Sequence, residues 1–219
     1  MLRISRRLYK LCIANMGMFF AKQKSNQCGL HAIQNVLKTA AINSDDMKKA
    51  CNTIHTKTGD AIHNHESFSG DWSVSAVLQA LRNRDFEVYR AVESRQQRTW
   101  SGPPLNDLVK DPMFKGLVLH QPMQHHFTCI RPEQVDDETQ LYYVDSQASG
   151  PQRISSRLAT RRCLSKAYAW EPYVVRGEDL EYVEPENIDL PQVEEIQQRD
   201  RVMPSEDFMN QWRAFNENR

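Results

Sequence analysis

No Cys-x-x-Cys pair occurs in these 219 residues, although cysteine stands at five widely spaced positions, 12, 28, 51, 129 and 163. An odd number at such spacing suggests neither a zinc ribbon nor a disulfide framework, and it implies reduced thiols in an intracellular compartment, cytoplasm or nucleus. An excess of charge is also missing, because 28 basic and 28 acidic residues cancel. Zero net charge leaves no electrostatic footprint for nucleic acid, and none is expected as a partner. No run approaches the roughly 20 apolar residues of a membrane span. There are no internal repeats. What remains is 40 % apolar and 26 % charged residues, the composition of a folded domain, in a chain long enough for one full core and an appendage.

Three regions differ in composition. Residues 1–18 form a basic N-terminal segment, with Arg3, Arg6, Arg7 and Lys10 and no acid in the first fifteen residues. The apolar stretch after them is short and interrupted, so the segment reads as a basic amphipathic helix, or as a start upstream of Met16 or Met18, rather than a targeting peptide. Met16-Gly17 lacks the Ser or Thr of a myristoylation motif. Residues 19–177 carry the periodic elements of a folded domain. Residues 178–219 are a tail that begins with eight acidic residues and no basic one between Glu178 and Ile196. It ends in a helix over 205–216 that puts Phe208, Met209, Trp212 and Phe215 on one face, a surface for docking on the domain or for a protein partner.

Within 19–177 the apolar spacing predicts helices over 28–38, from Asn43 to about Thr53, from Ser73 to about Arg84, over 105–110 and over 155–169. Strands are predicted over 86–92, 115–120, 125–130, 141–144 and 173–175. His55 to Gly70 reads as a polar loop or a loose arm. His55, His63 and His65 lie in it without an Asp or Cys cluster, so no metal and no cofactor are expected.

Cys28 stands at the mouth of the first helix, before the apolar face of Leu30, Ile33, Val36 and Leu37. First-turn amides and the helix dipole both favour negative charge there, which is the setting of an attacking thiolate. Three further groups give Cys28 chemical company. His125, with His126 beside it, starts a strand and can exchange a proton with a thiol. Asp145 ends the next strand, which an antiparallel hairpin brings back to the first one's start, and can orient an imidazole. Gln23, five residues before Cys28, can donate its side-chain amide to an oxyanion. Taken singly these are a solvated histidine, a turn-capping aspartate and a surface glutamine. In the order Gln, Cys, His, Asp, with Cys on a helix and the other two on adjacent strands, they match papain-like thiol hydrolases. Alternation puts His125 and His126 on opposite faces, so only one can meet Cys28. His31 shares the helix of Cys28 and is expected to be structural.

Several stretches resemble a Josephin domain, the family of deubiquitinating enzymes typified by the Machado-Joseph disease protein. They are Phe20-Ala-Lys-Gln23, Cys28-Gly-Leu-His-Ala-Ile-Gln-Asn-Val-Leu37, Ser73-Val-Ser-Ala-Val-Leu-Gln-Ala-Leu81, His125-His-Phe-Thr128, Tyr142-Tyr-Val-Asp-Ser146 and Tyr173-Val-Val-Arg-Gly177. The resemblance spans roughly 19–177. It implies an α+β papain-like fold of the Josephin type, with a helical subdomain packed on an antiparallel sheet. It also implies Cys28 as nucleophile, His125 as base, Asp145 as the orienting residue and Gln23 as oxyanion donor. Asp145 stands where the best-known members have Asn, and His126 where they have Trp. Residues 43–68 match the family's helical arm in position only. The tail has the acidic run of ubiquitin-interacting helices but not their Ala-x-x-x-Ser core. The implied substrate is the C-terminal tail of ubiquitin joined to a lysine by an isopeptide bond, and the implied partner is ubiquitin or a ubiquitinated protein. That tail needs a narrow cleft, with walls expected near Gly70, Trp72, Val74 and Ser75. The rival readings are another papain-like peptidase or amidase, and a ubiquitin-binding module without turnover.

Overall fold

The computed structural model describes residues 18–23, 27–66, 71–93, 98–166 and 169–185. The expectations for residues 1–17, for Gly70 and for the helix over 205–216 lie outside the described residues. Helix α1 (Cys28–Leu37) buries Leu30, Ile33, Val36 and Leu37, and Lys38 ends it in the left-handed conformation at φ 58°. Helix α2 (Ser44–Thr58) opens on a capping box. The Asn43 side chain accepts from the Asp45 and Asp46 amides, and the Asp46 carboxylate accepts from the Asn43 amide. It runs past the expected Thr53 because the polar turn after it stays helical. Thr56 and Thr58 turn their hydroxyls back to the carbonyls of Asn52 and Ile54, and Gly59 supplies the left-handed end at φ 78°. Helix α3 (Val74–Arg82) is capped by the Ser73 hydroxyl, which accepts from the Ala76 amide.

Strand β1 (Glu87–Arg90), a short helix α4 (Leu105–Leu108) and strands β2 (Phe114–Gln121), β3 (His126–Val135), β4 (Glu138–Val144) and β5 (Gln152–Ile154) follow. Helix α5 (Ser156–Leu164) and strand β6 (Glu171–Arg176) complete the set. All strand pairs are antiparallel, in the order β1-β6-β2-β3-β4-β5. One sheet face, with Val118, Phe127, Cys129 and Val175, packs on Ile33, Val36, Val77 and Leu81 of the helices α1 and α3. The other, with Leu117, Leu119, Ile130 and Val174, is covered by Leu105, Leu108, Ala159 and Cys163 of α4 and α5. Burial on both faces explains why the centre of β2 reads as an unbroken apolar run rather than an alternation. Gly116, at φ 142°, lets α1 come close. A side chain there would begin 2.7 Å from Val36 Cγ2 and 2.3 Å from the Ile130 carbonyl oxygen.

The helices on an antiparallel sheet form the α+β papain-like arrangement expected. Four local details differ. β3 continues through Pro132 to Val135, a stretch where it pairs with β4 alone, so the missing amide costs no bond to β2. β5 has only three residues, too few to show a period. α5 stops at Leu164 rather than near Ala169. Residues 178–185 lie against the domain. The Ala40 amide donates to the Val183 carbonyl at 2.8 Å, Thr39 Oγ1 donates to the Glu181 carbonyl at 2.9 Å, and Leu180 packs on the core. Among the described residues no helix is long and apolar enough to cross a membrane.

Candidate active site

Cys28 is the first residue of α1 and is 5 % exposed. The glycine after it explains how the helix start reaches the sheet. A Cβ on Gly29 would lie 2.8 Å from Val77 Cγ2 and 3.5 Å from the Phe127 ring. With no side chain at Gly29, the end of α1 sits between α3 and the beginning of β3. The Cys28 thiol donates to the carbonyl oxygen of His125 at 3.6 Å.

β3 and β4 pair with Cys129 opposite Val144, so the first residue of β3 and the residue after β4 meet at one edge. Those residues are His126 and Asp145. His126 Nε2 lies 3.2 Å from each carboxylate oxygen of Asp145, and the same ring interacts with Cys28. Burial works against the imidazolium, but the Asp145 hydrogen bond, then Cys28, outweigh it and raise His126 from 6.5 to about 9. Burial likewise disfavours the Asp145 carboxylate. The bond to His126 and the Gln147 amide, which donates to Oδ1 at 3.0 Å, overcome it and leave the carboxyl below its usual range. The Trp170 ring, itself 4 % exposed, stands 6.4 Å from the imidazole and shields one side of it. Trp170 is held in turn by Arg98, which donates to its carbonyl and to those of Cys163 and Leu164.

The side chain meeting Asp145 is therefore that of His126, and the expectation for His125 is corrected. Gln121 pairs with His126, so the turn between β2 and β3 consumes Pro122 to His125. His125 is exposed, stands at φ 49° and offers the thiol only its backbone carbonyl. His125 belongs to the turn rather than to the strand, so the alternation that orders Phe127, Thr128 and Cys129 does not place its side chain.

Gln23 is half-buried at the same edge. Its amide N–H donates to the Ser146 carbonyl at 2.9 Å, and the Ser146 hydroxyl donates to Gln23 Oε1 at 3.2 Å. The structure thus brings Cys28, His126 and Asp145 together directly, and Gln23 through Ser146. The expected cleft walls fare differently. Trp72 is 5 % exposed and packed in the core with Val77 and Leu78, so its ring is not an open wall, and that expectation is corrected as well. Val74 is half-buried against the same core and Ser75 is exposed on the first turn of α3. His31 stays on α1, its Nδ1 3.1 Å from Gln34 Oε1. A surface hollow of about 600 Å³, lined by Lys110, Gln140, Arg153 and Ser155 among others, includes none of Cys28, His126 or Asp145.

Sequence reasoning missed Ser146 and Trp170. Ser146 had a signal in its place beside Asp145, and Trp170 had none beyond its size. The Josephin family model matches residues 23–174 of the chain. No curated protein matches it.

Proposed function

The chain belongs to the Josephin family of ubiquitin-related cysteine proteases, and from that premise we propose that it is a deubiquitinating enzyme. It hydrolyses the peptide or isopeptide bond at the C-terminus of ubiquitin through a thioester. The observation that carries this reading is the line formed by Cys28, His126 and Asp145, with Nε2 of the imidazole 3.2 Å from the carboxylate.

In the mechanism His126 takes the thiol proton of Cys28, and the thiolate sulfur attacks the carbonyl carbon of the terminal glycine. The carbonyl becomes an oxyanion, which receives the side-chain amide of Gln23 and the backbone amide at the start of α1. Collapse of that intermediate breaks the C–N bond, and the imidazolium gives its proton to the leaving amine. Water, deprotonated by His126, then attacks the thioester and restores the thiol. Asp145 holds the ring in the tautomer both steps need. Cys28, Cys51, Cys129 and Cys163 are free thiols, which supports an intracellular setting.

The test is incubation of the chain with ubiquitin carrying a C-terminal electrophile. A covalent adduct forms with the wild type and is absent in Cys28→Ala. Folded protein that gives no adduct overturns the proposal.

A further inference from the structure

We propose that Ser146 is a positioning residue for the oxyanion donor, so that the step Asp145-Ser146 sets both halves of the site. The inference rests on the deubiquitinase reading above. Ser146 is 2 % exposed and is joined to Gln23 twice. Its carbonyl accepts from the Gln23 amide at 2.9 Å, and its hydroxyl donates to Gln23 Oε1 at 3.2 Å. A side-chain amide has an accepting end and a donating end. With Oε1 occupied by the hydroxyl, the Nε2 end is the one left to face a ligand, and it takes no partner among the described residues. The opposite rotamer would present a carbonyl oxygen to a developing oxyanion and repel it. The Ser146 hydroxyl, donating to Oε1, thus holds the amide in the orientation that helps the chemistry.

The segment carrying Gln23 is tied down at alternate residues. Asn35 Oδ1 accepts from the Ala21 amide at 2.8 Å, and Asn35 Nδ2 donates to the Ala21 carbonyl at 3.0 Å. Arg131, fully buried in β3, donates to the Asn35 carbonyl at 2.6 Å and to the carbonyl of Phe19. α1 and β3 thus hold residues 19 and 21, and Ser146 holds residue 23. The residue before Ser146 holds the imidazole. One two-residue step at the end of β4 fixes the proton carrier with one side chain and the oxyanion donor with the next.

The test compares Ser146→Thr, which keeps the hydroxyl, with Ser146→Val, which has the same shape without it. Each is made with and without Gln23→Ala in the full chain. Turnover is read on ubiquitin bearing a C-terminal fluorogenic amide. Gln23→Ala lowers kcat by about 100-fold or more with KM unchanged. Ser146→Val lowers kcat by about tenfold with KM unchanged, while Ser146→Thr stays within about threefold of wild type. In the Gln23→Ala background the Val and Thr variants turn over equally, because there is no amide left to orient. Alkylation of Cys28 by iodoacetamide needs the thiolate but no oxyanion hole, and proceeds at the same rate in every variant. No turnover by the wild type removes the deubiquitinase reading, and full turnover by Gln23→Ala removes the oxyanion role of Gln23. If Gln23→Ala is impaired while Val and Thr behave alike, or if the valine loss persists without Gln23, the positioning role is overturned. Loss of alkylation in Ser146→Val and in Ser146→Ala, with Ser146→Thr intact, assigns the hydroxyl to folding and overturns it too.

Discussion

Replacing Asp145 with asparagine removes a charge but leaves an acceptor beside His126 Nε2, which now lies 3.2 Å from both carboxylate oxygens. The two side chains are 14 % and 22 % exposed. Burial alone would hold the imidazole below its ordinary value, and the carboxylate, followed by Cys28, brings it from 6.5 to about 9. That rise of about 2.5 pH units is worth about 3.4 kcal/mol in favour of the imidazolium in the folded chain. Cys28 supplies part of it and water screens part, so Asp145→Asn costs about 1–2 kcal/mol of folding stability near pH 6. The sign follows from the direction of each shift. His126 has the higher value when folded, so its stabilisation is complete below about 6.5 and is lost as pH rises through about 9. Asp145 has the lower value when folded, so its contribution is lost only as pH falls through that lowered value. The gap between wild type and Asp145→Asn is therefore widest at about pH 5–6.5 and closes by about pH 10. Urea denaturation of both proteins at pH 6 and pH 10 measures it, and a gap that does not change between those two conditions refutes the reasoning. An amide oxygen still accepts from the ring, so turnover in Asp145→Asn stays within about tenfold of wild type.

His126→Ala lowers kcat by about 1000-fold while His125→Ala stays within about twofold, read on a ubiquitin C-terminal amide, and the reverse order would return the base role to His125. Arg131→Met leaves the Phe19 and Asn35 carbonyls and the Glu133 carboxylate without their guanidinium and lowers stability by about 3–5 kcal/mol in urea denaturation. An unchanged midpoint would show that those bonds are replaced by water. Gly116→Ala places a Cβ 2.3 Å from the Ile130 carbonyl oxygen and costs about 2–4 kcal/mol, visible as a lower Tm.

Much of the helical half was legible because its signals are local. The apolar face of α1 and the helix starts at Asn43 and Ser73 rest on signals that act over three or four residues, and each stands where the residues indicate. Cys28 as the first helical residue follows from the same signals. The choice between His125 and His126 was not legible. It depends on how many residues the β2–β3 turn consumes, and two adjacent histidines look alike to any alternation. Trp72 was expected on a wall because a narrow cleft for a glycine-ending tail suits small or aromatic residues, yet just before α3 its ring is packed in the core. The packing of residues 178–185 was hidden because their composition is that of a tail. Their contacts combine backbone groups, with the Thr39 hydroxyl meeting Glu181 and Val183, and single side chains, Leu180 on the core and Asp179 on Lys115, and such scattered contacts leave no periodic mark in the sequence.

The sequence by itself determined where helices begin, that Cys28 opens one, and that an imidazole and a carboxylate follow on neighbouring strands. These are properties of short stretches, set by capping, by turn chemistry and by the period of apolar residues. Only the tertiary structure decided which histidine meets Asp145, that Ser146 reaches back 123 residues to Gln23, and that a buried arginine ties Phe19 to β3. Those outcomes depend on strand phase and on groups far apart in the chain, where one residue of register changes which face a side chain occupies.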